Sequence, residues 1–528
     1  MMRSFTVFTA LLLPLARAAP QSCGGGTNVT IGQVVDTSSG PVAGHGAAKH
    51  PEVSEYLGIP YAQAPVGDLR FAAPLKYTGS SLHNGSVYGS SCPQLLSQPI
   101  AYTPEVVAAS NITEIGVELF NTIGSPDVVI SEDCLFLNIW SKPQSGEKKK
   151  AVMVYIHGGG FSGGTGSLPV FNGATLAEEE DVIIVTINYR VSILGWPGNP
   201  ESQNNLAFLD QRLAVEWVRD NIANFGGDTS RITLFGQSAG GASADYYSYA
   251  FASDPIVSST ISQSGNAFAF GLPYPESTSA TAWYTVTSTV GCGNASTNAT
   301  ELLACMRGVD VDTILKAIPT GGLYSLLSPF APTVDDVLVF ANYSQATPAS
   351  VPVLIGSNDY EPGTFRTQLA LAGLTFADSD WDELNLASYG CPAAQRANAS
   401  VAANNPTWRY RFFGVWPNIN ISSEGGAYHG AELQLLFGTT FSSPNATVDE
   451  IEFETYIRGA WAAFAKDPVN GLVAYEDGWP LYNPTEKTLV RLAYENSVGA
   501  NLAFPEVYDA GCDDADLAAL VCRLLGAC

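Results

Sequence analysis

Five residues, Gly236-Gln237-Ser238-Ala239-Gly240, constrain this chain more than any other stretch. They form a G-x-S-x-G match. An apolar β-type run, Arg231-Ile232-Thr233-Leu234-Phe235, leads into it, and a helix-compatible run from Ala239 to Phe251 leads out. A serine on such a sharp strand-to-helix turn projects its Oγ at the edge of a sheet. Glycines flank it because the crowded turn leaves little room for side chains. A second match, Gly160-Phe161-Ser162-Gly163-Gly164, sits inside a glycine-rich loop and lacks that setting. Serine is a weak nucleophile unaided. The motif therefore has chemical meaning only with a base, an acid and an oxyanion site.

The base follows by elimination. Behind an elbow of this kind the order along the chain is Ser, then Asp or Glu, then His. Of the five histidines, His45, His50, His83, His157 and His429, only His429 lies after Ser238. It falls in Gly426-Ala427-Tyr428-His429-Gly430, which reads as a loop. The acid must lie between the two, where Asp335, Asp336, Asp359, Glu361, Asp378 and Glu383 are candidates. The run Pro352 to Asn358 reads as a buried strand of a parallel sheet. Asp359 and Glu361 follow its C-terminal end, where open α/β sheets place their sites. Position alone does not separate these two. The oxyanion site is read from His157-Gly158-Gly159-Gly160-Phe161, after the buried-strand run Val152 to Ile156. Consecutive glycines let backbone N–H groups converge on one point, alongside the N–H of the residue after the nucleophile, Ala239. His157 precedes the nucleophile and is read as structural.

Further blocks carry a family resemblance. They are Tyr56-Leu57-Gly58-Ile59-Pro60-Tyr61-Ala62, Pro65-Val66-Gly67-Asp68-Leu69-Arg70-Phe71, Ser131-Glu132-Asp133-Cys134-Leu135-Phe136-Leu137-Asn138-Ile139, Asn188-Tyr189-Arg190, and Asn221-Ile222-Ala223-Asn224-Phe225-Gly226-Gly227-Asp228. With the oxyanion loop and the elbow, they resemble the type-B carboxylesterase/lipase family, the cholinesterase-like branch of the α/β-hydrolases, including its secreted fungal members. The resemblance runs from about Val34 to Tyr482. It implies a glutamate acid shortly after a V-L-I-G-x-N strand, which is Glu361. It implies Gly159, Gly160 and Ala239 as oxyanion donors and Ser264 as a serine that supports the acid. It implies the disulfides Cys92–Cys134 and Cys292–Cys305, and ester hydrolysis through an acyl-enzyme without metal or organic cofactor. Non-catalytic adhesion relatives would lack a triad member, and Ser238, Glu361 and His429 are all present. One departure stands out: the family often has Glu before the nucleophile, where this chain has Gln237.

The expected fold is an α/β-hydrolase fold, with a mainly parallel central sheet, helices on both faces and cap or lid insertions. Strand-like runs at Val152–Ile156, Val182–Ile187, Ile232–Phe235 and Val353–Ile355 alternate with helical stretches. Leu206, Leu209, Leu213 and Trp217 mark one helix by their spacing. A length of 528 residues alone suggests about three domains. The blocks, however, lie in the order that one α/β-hydrolase domain needs, so residues 19–528 are expected to form a single domain. Residues 1–18 read as a signal peptide: Arg3, an apolar core from Phe5 to Leu15 too short to span a bilayer, and Ala16-Arg17-Ala18 as the cleavage signal. The formal net charge of −26 repels nucleic acid and anionic membranes.

Nine cysteines suit an oxidising compartment; Cys23, Cys391, Cys512, Cys522 and Cys528 are left without an assigned pairing. Sequons occur at Asn28, Asn84, Asn111, Asn294, Asn298, Asn342, Asn398, Asn420 and Asn445. The expected partner is a small-molecule or lipid ester. Between Cys92 and Cys134 lies an amphipathic stretch, Ile115-Gly116-Val117-Glu118-Leu119-Phe120. In fungal lipases and sterol esterases of the family the equivalent loop is a lid over an acyl tunnel. Here the stretch is either such a lid or a packed surface helix.

Overall fold

The structure, a computed structural model, describes residues 30–124, 127–320 and 328–525. The expected signal peptide, Cys23, Asn28 and Cys528 lie outside them. The strands are β1 (Val42–Ala43), β2 (His45–Ala47), β3 (His50–Pro60), β4 (His83–Asn84), β5 (Phe136–Ser141), β6 (Lys150–Ile156), β7 (Ile183–Ile187), β8 (Gly227–Gln237), β9 (Ser259–Gln263), β10 (Val353–Asn358), β11 (Thr407–Phe412), β12 (Leu489–Leu492) and β13 (Asn501–Ala503). β1 and β4 make a small ribbon. The others form one 11-stranded sheet in the order β13-β12-β11-β10-β9-β8-β6-β7-β5-β3-β2. From β7 across to β12 every neighbouring pair is parallel, and antiparallel strands close both edges.

The residue pattern explains this sheet. β6 is Lys-Ala-Val-Met-Val-Tyr-Ile and is buried along its whole length. Its alternate side chains part to two cores. Val152, Val154 and Ile156 join one, while Ala151, Met153 and Tyr155 join the other. A continuous apolar run is what a strand covered on both faces requires. Each of the valine, isoleucine and methionine side chains contributes roughly 1.5–3 kcal/mol when fully buried.

The helix expected from Leu206 to Trp217 spans Leu206–Asn221, with Leu206, Leu213 and Trp217 buried. Its Asp210 accepts from Arg190 Nε at 2.8 Å and Nη2 at 2.7 Å, both side chains buried. Two other sequence blocks meet in the same way, Arg70 Nε donating to Glu132 Oε1 at 2.6 Å. Disulfides join Cys92 to Cys134 and Cys292 to Cys305, the pairs that the resemblance implies. A third, Cys391–Cys512, pairs two cysteines that the sequence left open.

The topology positions the site. After β7 the chain crosses back over β6 to lay down β8 on its other side. Ile156 at the end of β6 is therefore in register with Gly236 near the end of β8. Such a reversal of winding opens a crevice at the carboxyl ends of the strands. The glycine-rich loop leaves one lip of it and the serine elbow leaves the other.

Candidate active site

β8 ends at Gln237 and the helix Ala239–Ala250 begins two residues on, so Ser238 makes the whole turn. Its φ of 58° and ψ of −127° are costly for a non-glycine residue, on the order of 1–3 kcal/mol. Two backbone bonds hold it there: Ser238 N–H to Gln263 O at 2.8 Å, and Ala242 N–H to Ser238 O at 2.9 Å. The flanking glycines answer to close approach. A Cβ on Gly240 would collide with the Ile156 carbonyl, and one on Gly236 with Gly240 itself. Ser238 is half-buried, between the buried Gln237 and Ala239. Ser162, of the second motif match, sits exposed in a turn and donates to Gly159 O at 3.1 Å.

Glu361 follows β10 and stands immediately before the helix Pro362–Leu371. Its side chain is fully buried. His429 comes from the loop after β11, ahead of the helix Ala431–Phe437. Its Nδ1 meets Glu361 Oε2 at 2.5 Å. The other carboxylate oxygen accepts from Asn358 N–H at 2.6 Å. Asp359, the competing carboxylate, turns instead to Arg411, whose Nε donates to it at 2.7 Å. The Nε2 of His429 faces the elbow and lies 3.1 Å from Gln237 Nε2.

In the glycine loop, Gly159 and Gly160 have φ of 110° and 59° and are exposed. At Gly159 any side chain would strike the Gly163 carbonyl. Among the described residues no hydrogen bond uses the N–H of either glycine. The Ala239 N–H belongs to the first turn of its helix, where intrahelical bonding leaves donors free. His157 is buried and stacks on Tyr189, ring centroids 4.3 Å apart. Desolvation lowers its pKa to about 4, so the ring is neutral.

Several residues around Glu361 went unread in the sequence. Asn358 also donates through Nδ2 to Tyr428 O at 2.6 Å and to Glu432 Oε2 at 2.7 Å. Glu432 accepts a further bond from Gln263 Nε2 at 3.0 Å. Burial first, and then the neighbouring Glu361 carboxylate, push Glu432 up to about 7. Asn385 Oδ1 accepts from Glu361 N–H at 3.1 Å. It immediately precedes a π-helical turn, Leu386–Gly390, whose Tyr389 ring lies 5.2 Å from His429. Turns of that kind recur at functional sites. Ser264, which the resemblance implies as a support for the acid, lies just past β9. It is buried with φ 51°, and among the described residues its hydroxyl has no hydrogen-bond partner, while Glu361 Oε1 accepts from Asn358 N–H.

The stretch read as lid or surface helix is the helix Glu114–Gly124, with Ile115, Val117, Leu119 and Phe120 buried. Its entry is tied to the segment leading to His429. Thr113 N–H donates to Ile421 O at 2.9 Å and Thr113 Oγ1 to Asn420 O at 2.6 Å. Among the described residues no helix is long and apolar enough to cross a membrane, and no cluster of metal-ligand side chains occurs.

A mostly parallel sheet with helices on both faces, a strained serine at a strand-to-helix turn, and an acid and a histidine from later loops define an α/β-hydrolase. More closely, the chain belongs to the carboxylesterase family, whose sequence profile matches residues 32–388 and 382–507, and it is a carboxylic ester hydrolase. It is 37% identical over 488 residues to the chlorogenic acid esterase of Aspergillus niger, covering 90% of this chain and 91% of that one. It is 33% identical over 523 residues to secreted lipase 5 of Gibberella zeae, covering 92% and 94%. It is 32% identical over 507 residues to the cholinesterase of Mus musculus, covering 84% and 80%.

Proposed function

We propose that this chain is a secreted serine carboxylesterase in which Ser238, His429 and Glu361 form the triad. The observation that carries the reading is the 2.5 Å contact between His429 Nδ1 and the buried Glu361, with Nε2 of the same ring turned to the elbow. His429 takes the Ser238 proton as Oγ attacks the ester carbonyl. Glu361 fixes the ring's tautomer and stabilises the imidazolium that forms. The N–H groups of Gly159, Gly160 and Ala239 receive the oxyanion, each such donor being worth about 10²–10³ in rate. The imidazolium then protonates the departing alcohol, and water cleaves the acyl-enzyme by the same route.

Residues 19–528 act in this reading as one domain, released from the leader 1–18. The sequons Asn84, Asn111, Asn294, Asn298, Asn342, Asn398 and Asn445 are exposed and fit glycosylation, whereas Asn420 is half-buried with its Oδ1 out of solvent. Ser238→Ala tests the nucleophile. It should lower ester hydrolysis by about 10⁴-fold or more and abolish labelling by an organophosphate. Labelling that persists, at Ser162 for instance, would overturn the assignment.

A lipase or sterol esterase with a lidded acyl tunnel is the second reading. It is favoured by the buried apolar face of the helix Glu114–Gly124 and by Leu95, Leu96, Tyr102, Ile123 and Val129, which the same disulfide loop exposes. The names of the fungal relatives divide likewise between an esterase and a lipase. Rates on a short soluble ester and on an emulsified long-chain ester separate the two.

A further inference from the structure

His429 has hydrogen-bonding partners on both ring nitrogens, and the second partner is not the nucleophile. With Nδ1–H donating to Glu361, Nε2 carries a lone pair. In that tautomer the lone pair accepts from the side-chain amide of Gln237, whose Nε2 lies 3.1 Å away. Among the described residues no hydrogen bond joins it to Ser238 Oγ. The amide lies in a slot bordered by Gly158 and Gly430, and only at Gly158 would a side chain crowd it. A Cβ on Gly158 would come within 3.1 Å of Gln237 Oε1, and one on Gly430 within 3.7 Å of its Nε2. Gln237 is 5% exposed and its backbone is fixed in β8 beside Gln263 of β9, so the side chain has little freedom to leave.

We propose that Gln237 is a positioning residue that caps the base in the resting enzyme, holding the ring in place until substrate arrives and the Nε2 lone pair passes to the Ser238 hydroxyl. The inference rests on the triad reading. An N–H aimed at Nε2 favours the unprotonated ring, because protonation would bring two donors face to face. The uncharged amide adds no field that would hold the imidazolium. The other groups around the ring are few. Glu361 meets Nδ1, the buried Glu432 lies close enough for the two groups to interact electrostatically, and the Tyr389 and Phe365 rings flank the imidazole at 5.2 and 5.4 Å. Burial raises the Tyr389 phenol well above its ordinary range, so it stays neutral. Thr364 Oγ1 binds only the backbone carbonyl of His429. Gln237 is thus the group at Nε2 whose chemistry can be changed without touching acid or nucleophile.

The test uses Gln237→Glu and Gln237→Met, both close to the original in length, and the pH profile of kcat/KM on a short soluble ester. The acid limb reports the base in the free enzyme. With Gln237→Glu a carboxylate faces Nε2, and the limb should move up by about one pH unit or more. With Gln237→Met the cap is lost, and the limb should move up by a few tenths. Nitrogen-15 NMR of His429 in the Ser238→Ala protein gives a readout independent of turnover: adding Gln237→Met should shift the Nε2 resonance. Unmoved acid limbs in both variants together with an unmoved Nε2 resonance would overturn the cap. Failure of the triad reading looks different, since His429→Ala would then retain activity near that of the wild type.

Discussion

Asp359 and Glu361 stand two residues apart and have opposite surroundings. Asp359 is partly exposed and paired with Arg411, while Glu361 is fully buried between Asn358 N–H and His429. Glu361→Gln should therefore lower kcat by several orders of magnitude, because an amide cannot stabilise an imidazolium, and Asp359→Asn should cost little. Steady-state kinetics of the two variants decide the matter, and a larger loss at Asp359 would reverse the roles. Glu432 invites a different measurement. Its folded pKa of about 7 stands above the ordinary 4.5, so the folded protein holds this proton more tightly than the unfolded chain does. The stabilisation it brings is complete below about pH 4.5 and is lost as pH rises through 7. Glu432→Gln removes that titration. The melting temperature of the wild type minus that of the variant should fall between pH 4.5 and 7.5; a flat difference would show that Glu432 ionises alike in both states.

At the scale of elements, the helix Glu114–Gly124 is the piece whose role bears on substrate. Leu119 and Phe120 point inward, at 5% and 7% exposure, and Gly116 packs against the Ile421 carbonyl. A face packed this way in water costs free energy to expose, roughly 25 cal/mol per Å². Opening it is favourable only against another apolar phase. If the helix is a lid, the rate on a long-chain ester should jump as substrate passes its solubility limit, and hydrolysis of a short soluble ester should show no such break. A smooth saturation curve through the limit would mark the helix as fixed packing. The tie from Thr113 to Ile421 and Asn420 bears on either outcome, because it couples the helix to the segment that carries His429.

Over the whole molecule, what could be read in advance was whatever local physics dictates. Clustered glycines marked the elbow and the glycine-rich loop, and doubly buried apolar runs marked β6, β7, β8 and β10. The choice between Asp359 and Glu361 came only from the resemblance, because both end the same strand and position carries no side-chain direction. The Asn358–Glu432–Gln263 network stayed hidden because its members come from β10, β9 and a helix far apart in the chain. The same holds for Cys391–Cys512, separated by 121 residues, where spacing has no pairing rule. That bond makes the last prediction. Cys391 opens the helix directly after the π-helical turn that carries Tyr389, and Cys512 lies in the C-terminal segment. Closing so long a loop is worth about 5 kcal/mol by chain entropy, with 2–5 kcal/mol typical when a native disulfide is removed. The segment keeps a second tie, Arg409 donating to Asp509 through Nη1 and Nη2 at 2.6 Å each. Cys391→Ala with Cys512→Ala should therefore still fold and should melt several degrees lower. Its kcat should stay within a few-fold of the wild type, since neither cysteine touches Ser238, Glu361 or His429. An unchanged melting temperature would mean that the ion pair and the packing already hold everything this disulfide constrains.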